Sequence, residues 1–501
     1  MERNRWLVLA VVALSFLPVT IDSTVLYLAI PALTRDLGAS GIEILWIMDI
    51  YSLTMAGLVL VSGPLGDRFG QRNLLLLGLF LFALASGAAA FAPSPAVLIG
   101  CRVALALGGC MIIPSTLAIV RRIFTDPRER GIAIGLWGAV ASAGSALGPV
   151  VGGLLLEHFW WGSVFLVNVP VSLGTLLVTA VLVRSDLRGA RGPLQPVTAL
   201  AGILGLVGAV YALKSAARGE GDPFLIAGIG GVGLLLLGLF AWRQWTAPVP
   251  MLDLRLFRLR RFSIGVFTAC VPILVLIGFI LALVQYLQFV AGLSPLRAGL
   301  VIVPLDIAGA FAGPLVGYVL ARRGMRGLAA GALAIACAGY GLMLGFGVAG
   351  PGVPLAIAVM AIIGIGHGAL MSIGSSTVMS AAPAEKAGAA ASIESVAFEV
   401  GTGMGIAVFG SVLGLAYAGA FTGPAEYGAS IGATLSAAET LGGEAGAALA
   451  AAGREAFGQA FRLVVVASIA ALALSALLIL RFGPARENAP ATQAALGKSG
   501  A

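Results

Sequence analysis

Five carboxylates stand inside long hydrophobic runs: Asp22, Asp49, Asp306, Glu394 and Glu399. Each ionised acid in hydrocarbon costs about 2.5–3.5 kcal/mol, so five left alone would cost on the order of 12–17 kcal/mol. They must be paired, protonated or open to a water-filled cavity. A carboxyl withdrawn from water holds its proton more tightly. Such a group can carry a proton or hold a cation, and each excludes the other, which is the chemistry of ion-coupled exchange. Asp22, in "LPVTIDSTVLYLAIP", lies about 22 Å along its run at 1.5 Å per residue, past the middle of a bilayer. Glu399 follows Glu394 by five residues, about 140° around a helix, so the two can face different surroundings. Asp49 stands near the outer end of its run, where a hydrated structural acid is the competing reading.

The opposite charge is also present. Arg102, in "LIGCRVALALGG", is an intramembrane cation and should face the protein interior. Its alternative role is structural, bonding backbone carbonyls. Phe16, Trp46, Tyr51 and Trp137 are aromatic candidates near the acids that could stack on a lipophilic cation, or serve as core and interface residues. His367 is the mid-span histidine, better read as a hydrogen-bonded packing residue than as a coupling group. His158 sits at a membrane edge.

The elements that position these groups follow from composition. The chain has 501 residues, 59% hydrophobic and 10% charged, with a mean hydropathy of +1.03. Soluble domains carry roughly 25% charged residues. Apolar runs of helix-spanning length recur throughout, and the ten-residue alternation of a β-barrel is absent. The fold class is therefore all-α integral membrane. Fourteen spans are expected, at about 7–30, 44–65, 73–92, 95–119, 131–156, 161–183, 197–216, 223–243, 262–290, 298–320, 328–349, 354–379, 391–416 and 462–482. The net charge is +8, but the basic residues cluster in short segments on one side of this scheme. That asymmetry places both termini in the cytoplasm and needs no nucleic-acid partner. The basic, apolar start resembles a signal peptide, but the run is too long and lacks a small-x-small site, so it reads as an uncleaved first helix. The four cysteines all fall in apolar runs, as small core residues.

An internal echo divides the chain. "GPLGDRFGQR" at 63–72 follows the second span and "GYVLARRGMR" at 317–326 the tenth. Gly63, Arg68, Gly70 and Arg72 align with Gly317, Arg322, Gly324 and Arg326, while Asp67 aligns with Ala321. Repeated halves are a common transporter plan. The expected organisation is a six-helix bundle at 1–183, two additional helices with linkers at 184–261, and a second six-helix bundle at 262–482, followed by a tail at 483–501. Residues 417–461 form an external loop or helical pair. Within the first copy, Gly63 and Gly70 allow a tight turn, and Asp67 can pair with Arg68 near a helix start. Gly144, Gly148 and Gly152 recur every four residues on one helix face, where another backbone can approach, and Pro149 favours a kink.

These motifs carry a resemblance. "GPLGDRFGQR" resembles the cytoplasmic loop motif of the major facilitator superfamily, and "GLWGAVASAGSALGPVVGG" resembles its fifth-helix antiporter motif, through Gly135, Gly144, Gly148, Pro149, Gly152 and Gly153. "IDSTVLYLAIP", "WIMDIYSLTMAG", "QYLQFVAGLSPLRAGLVIVP" and "ASIESVAFEVGTGMGIAVFGS" are similar to the fourteen-helix drug:proton antiporters that expel quaternary ammonium compounds. The likeness implies a 6+2+6 major facilitator fold and a secondary transporter, not an enzyme. It implies that Asp22 is a proton-coupling or cation site, that Asp306 and Glu394 serve cationic substrates including divalent ones, and that Arg102 assists coupling or gating. It implies a cytoplasmic latch at Gly63, Asp67, Arg68, Gly70 and Arg72. The expected partners are lipophilic cations, protons and membrane lipid, with the chain working as a monomer in a bacterial inner membrane.

No nucleotide-binding loop, catalytic triad, zinc spacing or cofactor motif is present, so the sequence implies no cofactor and no metal. Two other readings remain at this level. One is an exporter of an endogenous metabolite or another antibiotic, and the membrane acids weigh against an anionic cargo. The other is a non-transporting sensor or scaffold, against which the glycine motif weighs.

Overall fold

The computed structural model describes residues 5–183, 195–218, 222–248, 250–323, 325–346, 353–383 and 386–483. Side chains at 60, 63, 64, 67, 127, 128, 131, 141, 217, 218, 314, 317–323, 346, 353, 354 and 387 lie outside that description. Among the described residues, fourteen helices are long and apolar enough to cross a membrane, at the places the sequence predicts. We number them with one external helix in chain order. The first group holds α1 (Arg5–Asp36), α2 (Gly41–Phe69), α3 (Gln71–Ala90), α4 (Pro95–Ile123), α5 (Pro127–His158) and α6 (Ser163–Leu182). Then come α7 (Pro196–Arg218) and α8 (Pro223–Thr246). The last group holds α9 (Arg260–Val290), α10 (Pro295–Arg323), α11 (Met325–Phe346), α12 (Val353–Ala381), α13 (Ala387–Ala420), α14 (Ile431–Leu441) and α15 (Gly443–Phe482).

Several helices outrun their apolar stretch. The expected turn at Gly63 and Gly70 is one residue wide: α2 stays helical through position 63 and ends at Phe69. Gly70 alone turns the chain, at φ +93°, where a side chain would be strained. α1 is not a single regular helix. It breaks after Leu14 and passes through a 3-10 turn at Leu26–Ala29, with Pro18 and Pro31 each just inside the segment that follows a break. Proline lacks the amide that would continue the ladder. The segment 417–461 contains α14 and the outer end of α15, whose 40 residues reach about 60 Å, twice a hydrocarbon core. Gly442 and Gly443, at φ +61° and +56°, make the corner between them.

The two groups meet along two seams, α2 against α13 and α5 against α10. α7 lies against α2 and α13, and α8 packs on α7. Glycines set the close approaches. A Cβ at Gly144, Gly148 or Gly152 would overlap Thr20, Thr24 or Val25, so one face of α5 is moulded to α1 as the four-residue spacing predicts. Gly153 faces another way, against the backbone of Leu296 on α10, while Gly299 of α10 meets Pro149. Gly135 has open space around it and takes no part in this packing. On the same side, Gly403 and Gly410 of α13 abut Leu53 and Leu45 of α2, and Gln288 Nε2 donates to Leu28 O across the groups at 3.1 Å. Leu28 lies in the 3-10 turn of α1, and Gln288 in a π-helical turn, Tyr286–Val290, that ends α9.

Gly148→Leu should lower the thermal midpoint of the purified protein by several degrees, because overpacking costs about 1–3 kcal/mol. Gly135→Ala should leave it within about a degree. A thiol-reactive dye reporting exposure of the four native cysteines would measure both, and equal midpoints would contradict the α1–α5 packing.

Candidate functional site

α1 carries Asp22 one turn before its 3-10 segment, and there the carboxylate is fully buried. α4 brings Arg102 to it. Nη1 lies 2.5 Å from Asp22 Oδ2, Nε donates to Ile47 O on α2 at 3.1 Å, and the guanidinium carbon lies 4.6 Å from the centre of the Tyr51 ring. The other Asp22 oxygen accepts from Asn168 Nδ2 on α6 at 3.3 Å. Four helices thus share one buried ion pair. Arg102 thus faces an acid inside the bundle and also bonds a backbone carbonyl.

Asp49 corrects the expectation of a hydrated helix end. It is fully buried, because α7 lies over α2 and delivers Lys214, whose Nζ is 2.5 Å from Asp49 Oδ2. Nζ also sits 4.0 Å from the centre of the Trp46 ring, one turn before Asp49, and that ring stacks on Tyr211 of α7. Sequence reasoning passed over Lys214. It stands four residues from the end of its helix, where a lysine ordinarily reaches to the interface. The available signal was a lysine and an aspartate near the same ends of neighbouring spans.

Glu399 joins this region from α13. It is half-buried, within hydrogen-bond reach of Ser52 on α2, and close enough to Tyr27 and Tyr51 to interact with both electrostatically. Tyr27 also senses Arg102 and Asp49. The structure therefore assembles Asp22, Asp49 and Glu399 around two cations and two tyrosines. It does not gather all five acids. Glu394 is half-buried beside Ser375 of α12, and Asp306 is half-buried on α10. Among the described residues neither forms an ion pair. Asp22 and Asp49 each have a partner cation, whereas Glu399 has hydroxyls.

The four aromatics divide into two kinds. Tyr51 and Trp46 already cover cations of the protein itself. Phe16 and Trp137 stack on each other, at 4.8 Å and 6°, with Trp137 Nε1 donating to Thr116. His367 is buried against the Tyr340 hydroxyl at 3.0 Å, the packing role expected, and His158 lies exposed at the end of α5. The cysteines are free. In the loop motif, Arg72 donates to Ala180 O on α6 at 2.6 Å and Arg68 is exposed beside Phe69. The side chain of Asp67 and any contact at Gly63 lie outside the described residues, as do the side chains at 317–323 in the second copy. No cluster able to hold a metal is found among the described residues.

The profile described as Major Facilitator Superfamily matches residues 12–406. The methyl viologen resistance protein SmvA of Salmonella typhimurium is 43% identical over 464 residues, covering 91% of this chain and 93% of that protein. The multidrug efflux pump LfrA of Mycolicibacterium smegmatis is 39% identical over 445 residues, covering 89% and 88%. Among solved structures, a bacterial homologue of the human lysosomal transporter Spinster, inward-facing and unoccupied, superposes with a TM-score of 0.69 at 20% identity, covering 96% of this chain and 98% of its own. That likeness speaks for the fold alone.

Removing one ion of a buried pair costs about 3–5 kcal/mol, and removing both costs far less. Arg102→Ala should therefore destabilise the protein in detergent more than the double change Asp22→Asn with Arg102→Leu. Denaturant unfolding measures both, and a double variant weaker than the single would overturn the pairing argument.

Proposed function

The chain belongs to the Major Facilitator Superfamily, and on that premise we propose that it is a proton-coupled multidrug efflux antiporter for lipophilic cations. It is a multi-pass bacterial membrane protein and a member of a transporter family. Both termini face the cytoplasm, in keeping with the positive-inside asymmetry. The substrate class is supported by the relatives' names, one for resistance to a bipyridinium dication and one for multidrug efflux.

The observation that carries the reading is the unequal charge in the cluster. Among the described residues two acids have resident cations and Glu399 does not. Glu399 is the acid at which a proton and a substrate cation compete, beside the α2–α13 seam. A lipophilic cation enters from the cytoplasm or inner leaflet and is held by the ionised carboxylate. The halves then part along the outer seams, where Gly153 meets Leu296 and Gly403 meets Leu53. Protonation from outside neutralises Glu399 and releases the cation. Protonation of Asp22 frees Arg102 from its strongest contact and lets the α1–α4 arrangement change. Asp306 and Glu394 supply further negative charge for divalent substrates. The loop cluster at Asp67, Arg68 and Arg72 latches the cytoplasmic ends, and one copy of the chain suffices. An exporter of anions would need the opposite sign of surplus charge.

Cells containing the protein should accumulate several-fold less ethidium than cells without it, and a protonophore should erase the difference. Exclusion that survives the protonophore would sink the coupling. In everted vesicles, Glu399→Gln and Asp22→Asn should abolish substrate-driven proton movement while the protein is still made. Asp306→Asn and Glu394→Gln should weaken transport of methyl viologen more than of tetraphenylphosphonium. Equal losses would remove those two acids from substrate selection.

A further inference from the structure

The α7–α8 pair sits at one of the two seams along which the halves meet. α7 touches α2 of the first half and α13 of the second. The two contacts differ in kind. Towards α2 there is the Asp49–Lys214 pair, both side chains fully buried, with Trp46 and Tyr211 packed over it. Further along the same seam the backbones approach closely: a Cβ at Gly57 would lie 3.4 Å from Ile203 Cβ. Towards α13 the contact is apolar, made by Leu206, Val207 and Val210 against Met404 and Ala407. Parting the first contact would strand two ions in low dielectric. Parting or sliding the second exchanges one apolar neighbour for another, with lipid at hand.

We infer that Lys214 is a positioning residue for transport: through Asp49 it fixes α7 and α8 to the α1–α6 half, and α13 slides along α7 when the halves rock. α8 follows because its glycines mesh with α7, Gly233 against Gly205 and Gly208. The second half holds its own end of the connection. Asp253, in the linker after α8, pairs with Lys386 before α13 at 2.6 Å, and Leu252 and Leu256 pack on Phe262 of α9 and Ile393 of α13. The same linker is tied back to α8, where Leu252 N donates to Gln244 Oε1 at 3.0 Å and Arg255 Nη2 to Trp245 O at 3.1 Å, so the moving bodies pivot at this end and separate most at the Asp49 end. The extra helices are thus a flank of the first half and not an independent third body. The inference rests on the rocking motion proposed above.

Spin labels at three exposed alanines on the same membrane face test it: Ala96 on α4, Ala216 on α7 and Ala418 on α13, in a background with the four native cysteines replaced by alanine. The 96–418 distance reports the halves, with and without saturating tetraphenylphosphonium. Where it changes, 216–418 should change with it by more than about 5 Å, the scale of a one-turn displacement. The 96–216 distance should hold within about 2 Å. A label at 216 that keeps its distance to 418 and moves from 96 overturns the inference while leaving rocking intact. A 96–418 distance that never changes overturns the rocking and the inference with it. A second arm needs no ligand. Lys214→Met should broaden the 96–216 distribution, and Lys214→Arg should keep it narrow. A narrow distribution in Lys214→Met would show that the ion pair does not hold α7.

Discussion

A charge in a low-dielectric interior must find its opposite, and this requirement organises the centre of the molecule. Asp22 can be fully buried only because Arg102 reaches it from α4 while Asn168 occupies its other oxygen. Arg102 in turn is tolerable only because Ile47 O and the face of Tyr51 use the rest of its guanidinium. The cost of leaving either ion alone is about 3–5 kcal/mol. α1, α2, α4 and α6 are therefore tied to one register by a single pair. A change of charge there is felt by four helices at once.

The seams around this centre obey a different rule. There the limiting quantity is distance between backbones, and glycine sets it. On α5 the glycines serve two partners: Gly144, Gly148 and Gly152 hold α1, and Gly153 meets α10 of the other half. One helix thus carries a fixed contact and a separable one on adjacent faces. The same division recurs on α7, charged towards α2 and apolar towards α13.

Much of this was legible in the sequence because it depends on patterns with a fixed period. Span number follows from apolar length, and the α5 face follows from a four-residue repeat. Helix ends were less legible, since apolar runs stop at the lipid boundary and helices such as α2 do not. Gly63 and Gly135 show the limit of motif reading: one lies inside a helix and the other faces open space, although both match a pattern. Lys214 shows the converse. It matches no motif, and its significance depends on α7 packing over Asp49, a tertiary fact that no local window contains. The breaks in α1 were readable in principle from Pro18 and Pro31, but an apolar run of that length invites a single straight helix.

The two resident cations neutralise two of the three acids in the central cluster. Tyr51 and Trp46 present aromatic faces beside aspartates, the surroundings a lipophilic cation would seek. Arg102 and Lys214 already fill them. With those faces taken, the acid of the cluster left without a cation among the described residues is Glu399, which lies on α13 beside the α2–α13 seam. The paired acids tie α1, α2, α4, α6 and α7 together, and Glu399 of α13 stands beside them with hydroxyls for partners.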